Sequence, residues 1–467
     1  MNRLDSAQRS RLRAWYGDRV TFSRIERIRY GHDSATAPPR GRPTLGETVP
    51  DAVVRPESEE ELLKLSRWAM SEGVALTPRG RGTSRSGGAI PLRRGVTVDL
   101  TSMSGLVDLD PAFGTVTVEP GVVWESLQNE LAAAGLALRL YPTSYAGSTV
   151  GGWFAQGGAG IGSFDAGWFR DNVVSARIAV PDGGVIELNG PDLELVADAE
   201  GTTGLISRVT LRVDPSAEIV VATAATPDPV ALQRMLVGVV EVGLPLWSVS
   251  FFDPVLAAFH RGAPEEFLVT FAYRRATAPR VESRLPWIVT DSGAWVVDDH
   301  LARREWDQRF RTTQIRDRIP SLVPAEVVVP LTALADVIEE IQAAVVPPAP
   351  MEAVLVRSAA ADPEVAIHAF LPVAADDERR EAAIRDLIAV LGIAESHGGR
   401  PYSTGIYFRD RARTILGWDR VRAIESFRRR VDPRGILNPG KVTAPGKPGA
   451  RIPLARTMAG WSGRVRW

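Results

Sequence analysis

Chemistry in this sequence is concentrated in its glycine-rich stretches. The first reads Pro78-Arg79-Gly80-Arg81-Gly82-Thr83-Ser84-Arg85-Ser86-Gly87-Gly88. Closely spaced glycines admit positive φ and let successive backbone N–H groups converge on an anion. Thr83, Ser84 and Ser86 add hydroxyl donors. A Rossmann fingerprint or a P-loop requires a helix directly after the glycines. Here Ala89–Pro91 and a strand-like run follow, and no Gly-Lys-Ser/Thr occurs, so both readings fail on context. The second stretch holds Pro142-Thr143-Ser144, Gly147-Ser148-Thr149-Val150-Gly151-Gly152 and Gln156-Gly157-Gly158-Ala159-Gly160. About twenty residues of small side chains make a backbone that a large ligand can approach closely, and a loop of that length favours function. The third is Glu200-Gly201-Thr202-Thr203-Gly204, ahead of a β-rich run. Any one stretch alone is weak evidence, and the first reads equally well as a flexible turn. Together they point to a large phosphate-bearing ligand of dinucleotide size.

Other chemistries are closed off by composition. The chain has no cysteine, which excludes disulfides, zinc–thiolate sites, a cysteine nucleophile and an iron–sulfur cluster ligated within it. Its five histidines, His32, His260, His300, His368 and His397, form no HxH or HExxH pattern, so no metal site is expected. Lys64, Lys441 and Lys447 are the only lysines, leaving few candidates for any role that needs a compact ammonium. With 55 basic and 56 acidic side chains the net charge is −1, which gives no electrostatic case for nucleic acid. At 467 residues, 45% hydrophobic and 24% charged, the chain has ordinary globular chemistry and length for two domains. The polar N-terminus lacks the apolar core of a signal peptide, and no run of about 18 apolar residues occurs. The expected location is cytoplasmic, with no transmembrane segment.

The elements that must hold these loops alternate. Val53–Pro56 reads as a strand, and Ser58 with Glu61 as a capping box opening a helix closed by Gly73. Strands are predicted at Val74–Thr77, Val96–Leu100 and Thr115–Val118, a helix at Trp124–Ala134, and a long loop over residues 142–168. ARIAVPDGGVIEL reads as two strands about a turn, and LISRVTLRV closes the unit before Asp214–Pro215. Beyond it, helices at 228–240, 331–345 and 376–391 alternate with strands such as FLVTFAY and VAIHAFL, the pattern of a second α+β domain.

PRGRGTSRSGGAIP, GSTVGGWFAQGGAGIGSFDAGWFRDNV, PDGGVIEL, AEGTTGLISRVTLRV and VDPRGILNPGKV, in this order, resemble the vanillyl-alcohol-oxidase-like FAD-binding flavoproteins. The nearest branch is that of the FAD-linked glycolate/D-lactate dehydrogenases, and the likeness spans about residues 30–445. The resemblance implies an α+β fold. A two-lobed, PCMH-type FAD-binding domain would span 48–215 and an α+β cap of the FAD-linked oxidase C-terminal type 216–400. Residues 401–445 would return to the FAD domain. Residues 1–47 are then an N-terminal helix and arm, and 446–467 a basic tail. Carried onto this chain, Arg79, Gly80, Arg81, Gly82, Thr83 and Ser84 would wrap the diphosphate. Thr143, Ser144, Ser148, Gly151, Gly152, Gln156 and Gly160 would line the diphosphate, ribityl and flavin edge. Glu200, Gly201 and Ile206 would sit at the adenosine end, and Asn438 and Lys441 near the flavin ring, where an ammonium stabilises reduced flavin. The FAD is expected to be non-covalent, because Ala89 follows Gly88 where tethered relatives carry histidine.

The branch also carries a cap metal site of paired histidines with a Glu-His-Gly motif. Here only His368 and His397 remain, Ser396 stands in the carboxylate position and Glu395 is one residue out of register. Candidates for substrate chemistry are Arg311 to hold a carboxylate and His397 or Tyr402 to take a hydroxyl proton. The function so implied is hydride transfer from the CH–OH group of a small 2-hydroxy acid to flavin N5. Electrons would pass to a separate acceptor: an iron–sulfur protein, an electron-transfer flavoprotein or a quinone. An oxidase of alcohols or sugars using O₂, a flavin-bearing electron-transfer subunit and an FAD module without catalysis are the alternatives.

Overall fold

The computed structural model describes residues 3–34, 48–259, 263–310, 322–358, 361–373 and 377–442. Three sheets organise it. The first runs β1 (Val20–Thr21), β2 (Ala52–Val54), β4 (Val96–Asp99), β3 (Leu76–Arg79), with β1 antiparallel to β2 and the others parallel. Ala52, Val53, Val54, Val96 and Val98 are wholly buried, as short parallel strands covered on both faces require. The helix Glu59–Glu72 packs on this sheet through Leu62, Leu65, Trp68 and Ala69, and Gly73 ends it at φ 68°. At its start the Ser58 hydroxyl accepts the Glu61 N–H at 3.2 Å, but the reciprocal bond of a capping box does not form. Glu61 instead grips Arg19 through two bonds of 2.6 Å, because a bidentate guanidinium is the stronger partner.

The second sheet is antiparallel: β5 (Leu106–Asp110), β6 (Thr115–Val118), β10 (Leu205–Pro215), β8 (Val173–Val180) and β9 (Gly184–Asn189), with β7 (Leu136–Leu138) on the end of β10. Its core is aromatic: Trp153 stacks on Phe169 at 4.6 Å and meets Trp124 edge-on at 5.2 Å. Residues 142–168, predicted as one loop, contain the helices Val150–Gln156 and Ser163–Ala166. Thr149 caps the first by accepting the Gly152 N–H, and burial of Trp153 and Phe154 holds it despite two glycines. Gly151 is required there, since a Cβ would collide with Pro120.

The cap is one antiparallel sheet of eight strands, in the order β14 (Trp295–Val296), β11 (Ile219–Thr226), β13 (Phe267–Arg274), β12 (Ser248–Phe252), β16 (Met351–Val356), β17 (Glu364–Pro372), β15 (Leu322–Pro330), β18 (Arg400–Pro401). Its two faces do different things. Val323, Ala325, Val327 and Val329 of β15, with Val365, Ile367, Ala369 and Leu371 of β17, join a core with the helices Pro229–Glu241, Leu334–Ala344 and Asp377–Ser396. The even-numbered residues between them point to the opposite face, as the period of two in a strand demands.

After β18 the chain returns to the first sheet. The helix Trp418–Val431 leads to a strap, residues 432–442, that lies along β3. Leu76 donates to the Ile436 carbonyl at 2.9 Å and accepts from Asn438 N–H at 2.7 Å, so the strap extends the sheet. The arm at 35–47 and the tail after 442 lie outside the described residues. Ile367 is wholly buried at the centre of the cap. Ile367→Ala should lower unfolding free energy by about 2–5 kcal/mol in chemical denaturation, with an unchanged denaturant slope.

Candidate active site

A cleft of about 280 Å³ runs between the two lobes and beneath the free face of the cap sheet. The three glycine-rich stretches converge on it. Arg79 through Ser84 come from the turn after β3, Thr143, Ser144 and Ser148 from the approach to the helix Val150–Gln156, and Gly151, Gly152 and Gln156 from that helix. Glu200 and Gly201 enter from the turn before β10, and Ile206 from its start. Two of the sequence candidates stand behind the wall. The Gly160 N–H donates to Ser163 Oγ, and its close approach to the Tyr141 carbonyl sets the loop's path. Asn438 is buried, its amide donating to the carbonyls of Gly88 at 2.9 Å and Glu200 at 2.6 Å, so it ties the first and third loops together.

The first loop is braced from outside by the N-terminal segment. Arg79 donates to the His32 carbonyl at 2.7 Å, and burial pulls its guanidinium below the usual arginine range. Ser34 N–H donates to Gly82 O at 3.1 Å. Among the described residues, the N–H groups of Arg81, Gly82, Thr83 and Ser84 donate to no protein acceptor. Free amide donors around a left-handed glycine, Gly82 at φ 68°, make a nest for an anion such as a diphosphate. Opposite it, Glu200 and Gly201 both adopt positive φ, 52° and 66°. A glutamate in that region is an outlier of the kind found at binding sites.

The cap supplies the other end. Leu322, Pro324, Glu326, His368 and Phe370 line the cleft from the free face of β15 and β17. Glu326, His368 and Glu352 are direct cross-strand neighbours, one on each of β15, β17 and β16. His368 Nδ1 lies 3.4 Å from Glu352 Oε1, while the buried Nε2 has no partner among the described residues. A carboxylate partner makes Nδ1 the donor and leaves Nε2 as a bare acceptor. Arg85, from the first loop, bonds Glu326 at 3.1 Å and sits over Phe370. Among the described residues no three His, Asp or Glu side chains gather as a metal site.

The candidate catalytic residues fare differently. Tyr402 lines the cleft, but its hydroxyl accepts from Ala159 N–H at 2.7 Å and donates to Ala159 O at 3.1 Å. Burial pushes that phenol well above its usual range, and both its hydrogen and its acceptor are engaged by the Ala159 backbone in the wall. His397 is displaced from the site altogether. It ends the helical layer on the far face of the cap and bonds Glu340 at 2.8 Å. Lys441 does not reach the cleft either: it is wholly buried behind Ile90 and Asn438. Arg311 lies outside the described residues. The residues that sequence reasoning passed over are Arg85, Glu326 and Glu352. Only their register across the cap sheet, and the loop laid against it, gives them meaning.

Two lobes that present amide nests, closed by a cap whose free face carries a few polar groups, define a two-domain flavoprotein. Residues 50–189 match the FAD binding domain, and residues 216–442 match the C-terminal domain of FAD linked oxidases. The chain belongs to this family of FAD-linked oxidases and is an FAD-dependent oxidoreductase. It is 26% identical to a probable mitochondrial D-lactate dehydrogenase of Danio rerio, over 93% of this chain and 91% of that one. It is 27% identical to the glycolate oxidase subunit GlcD of Bacillus subtilis, over 37% of this chain and 38% of the other. Its fold matches a solved alkyldihydroxyacetonephosphate synthase with a TM-score of 0.75 at 19% identity, covering 94% of this chain and 85% of that one. Among the described residues no helix is long and apolar enough to cross a membrane.

The donor set fits FAD: free amides for the diphosphate, and glycines where a side chain would fill the cleft wall. Gly82→Val should strain a left-handed turn and disrupt the nest. The purified variant should be folded by circular dichroism but nearly colourless, and full flavin content would overturn this assignment.

Proposed function

We propose that this flavoenzyme oxidises a small 2-hydroxy acid, of the glycolate or D-lactate type, to the 2-oxo acid. The observation that carries the reading is the unpartnered Nε2 of His368, aligned by Glu352 on the cleft face of the cap. Bound FAD supplies the hydride acceptor for the carbon that bears the hydroxyl. The remaining work falls to the chain. His368 Nε2 takes the hydroxyl proton as the C–H bond breaks, and Glu352, with Glu326 on the other side, steadies the imidazolium that results. Arg85 has only Nη1 engaged among the described residues, so the rest of its fork can hold the substrate carboxylate. Leu322, Pro324 and Phe370 make that end of the cleft apolar, which favours a short substrate and keeps water out.

The likeness to proteins named D-lactate dehydrogenase and glycolate oxidase subunit supports the same substrate class. With no cysteine to ligate a cluster in the chain, the electrons would leave to a separate acceptor, an iron–sulfur protein, an electron-transfer flavoprotein or a quinone.

The test is anaerobic reduction of the bound flavin by a panel of D- and L-2-hydroxy acids, alcohols and sugars. A 2-hydroxy acid should bleach it, and His368→Gln should slow that step by about 10²–10⁴-fold while retaining the flavin. Bleaching by an alcohol or sugar alone would replace the substrate class. Bleaching at the wild-type rate in His368→Gln would remove His368 from the reaction.

A further inference from the structure

A second cavity, of about 220 Å³, opens where the FAD lobe passes into the cap. One side is Gln128, from the helix Trp124–Ala133, together with β7. The floor is the crossing itself, from Asp214 at the end of β10 to Ile219 at the start of β11. The cap supplies the rest: Trp247, Arg274, and Trp306 and Arg309 at the end of the helix Asp299–Asp307. Domain junctions are favoured places for small-molecule sites, and a cavity below about 300 Å³ has room for one or two rings and not for a dinucleotide.

The walls are aromatic and continuous. Ring centroids of Tyr141 and Tyr145 lie 5.0 Å apart, those of Tyr141 and Trp247 5.8 Å, and those of Trp247 and Trp306 6.0 Å. Such faces receive a planar ring. The free polar groups are donors. Arg309 spans the rings of Trp306 and Phe310 at 4.2 and 4.4 Å and gives Nη1 to the Trp306 carbonyl, while its buried Nε has no partner among the described residues. Gln128 accepts the Leu138 N–H through Oε1 at 2.9 Å, and its amide N–H groups are uncommitted among the described residues. The carboxylate of Asp214 is neutralised by Arg274 at 2.7 Å and Arg139 at 3.4 Å, and Arg274 also holds Asp165 at 2.9 Å. The cavity therefore offers no spare anion to a cationic ligand. A planar ring bearing carbonyl oxygens suits both the aromatic faces and the donors.

Position gives such a ring a use. Pro142, Thr143 and Ser144 line the cofactor cleft, while Tyr141 and Tyr145, at either end of the same stretch, line this cavity. One pass of the chain, tied down by two Tyr141–Ile161 backbone bonds of 3.0 Å, is thus the partition between them. We infer that this cavity is the electron-acceptor site of the enzyme and that its ligand is a quinone, packed against Trp306 and Tyr145 with its carbonyls on Arg309 and Gln128. The quinone enters past Ser216 and Ala217, exposed at the rim, so it does not compete with substrate beneath His368. Two electrons cross the partition. The cofactor returns to its oxidised form and releases two protons to solvent, and the quinone takes up two protons as its carbonyls become hydroxyls. The inference rests on the reading of this chain as a dehydrogenase and selects one of its acceptors, since a partner protein docks on a surface and does not enter a cavity of this size.

The experiment uses the full-length, FAD-loaded protein and duroquinone, a tetramethyl benzoquinone. Binding to the oxidised protein is measured by calorimetry for wild type, Trp306→Ala and Ala217→Trp, the last filling the rim from an exposed position. In parallel, flavin reduced with one equivalent of dithionite is reoxidised at increasing duroquinone concentrations. Wild type should bind one equivalent. Both variants should raise the Kd by about tenfold or more, and raise the half-saturating concentration for reoxidation by the same factor, with flavin content unchanged. A wild type that binds no duroquinone, equal Kd values in the three proteins, or reoxidation that does not follow the change in Kd overturns the inference. So does displacement of duroquinone by an equal concentration of benzoate, which would make the cavity a site for aromatic carboxylates. Should Trp306→Ala fail to fold, Ala217→Trp decides. Because dithionite supplies the electrons, a flavin that no 2-hydroxy acid bleaches would fail the substrate reading without altering this result.

Discussion

The return of the chain to β3 is the constraint on which the rest of this molecule depends. The cofactor loops are rich in glycine, and glycine has more conformational freedom to lose on ordering than any other residue. Left alone, stretches such as Gly80–Gly88 would sample many shapes. The strap removes that freedom by pairing with Leu76, at the start of the strand that leads into the first loop, and by threading the Asn438 amide between Gly88 and Glu200. Ser403 and Ile406 complete the enclosure against Ser86. A ligand nest made of backbone is only as exact as the side chains that pin it, and here they come from the far end of the chain.

The cap illustrates a second economy. A single antiparallel sheet carries its helices on one face and offers the other to the cleft, so alternate residues of β15 and β17 have separate duties. Val327 and Ile367 build the core while their neighbours Glu326 and His368 face the cleft. Strands are stiff and their side chains are fixed in direction, which suits the proton acceptor proposed for this face. The helical layer on the opposite face is the wrong side for chemistry, and His397 lies there.

The FAD-linked family relationship and the unusual lysine content bear on each other. Where most cations of this chain are arginines, the one with no exposure among the described residues, behind the cleft wall, is a lysine. A guanidinium is bulkier, projects five N–H groups and cannot be satisfied by one carbonyl and one amide oxygen. The compact ammonium fits the small space between Ile90 and Asn438.

Sequence alone pointed to a large phosphate-bearing ligand, because the glycine stretches are local: what Gly80, Gly82, Gly151 and Gly201 permit follows from residue type and short spacing, and their resemblance to a flavoprotein family named that ligand as FAD. It also determined most strands and helices, through periodicities of two and about 3.6. It misread residues 142–168, where aromatic burial overrode a loop-like composition. The catalytic end was hidden for a different reason. The role proposed for His368 rests on Glu352 and Glu326, 16 and 42 residues away, through strand register, and strand register is a long-range property. Lys441 could be singled out by scarcity, yet only the tertiary structure set it behind Ile90 and Asn438 instead of inside the cleft, because burial of a charge is decided by what the rest of the chain folds around it.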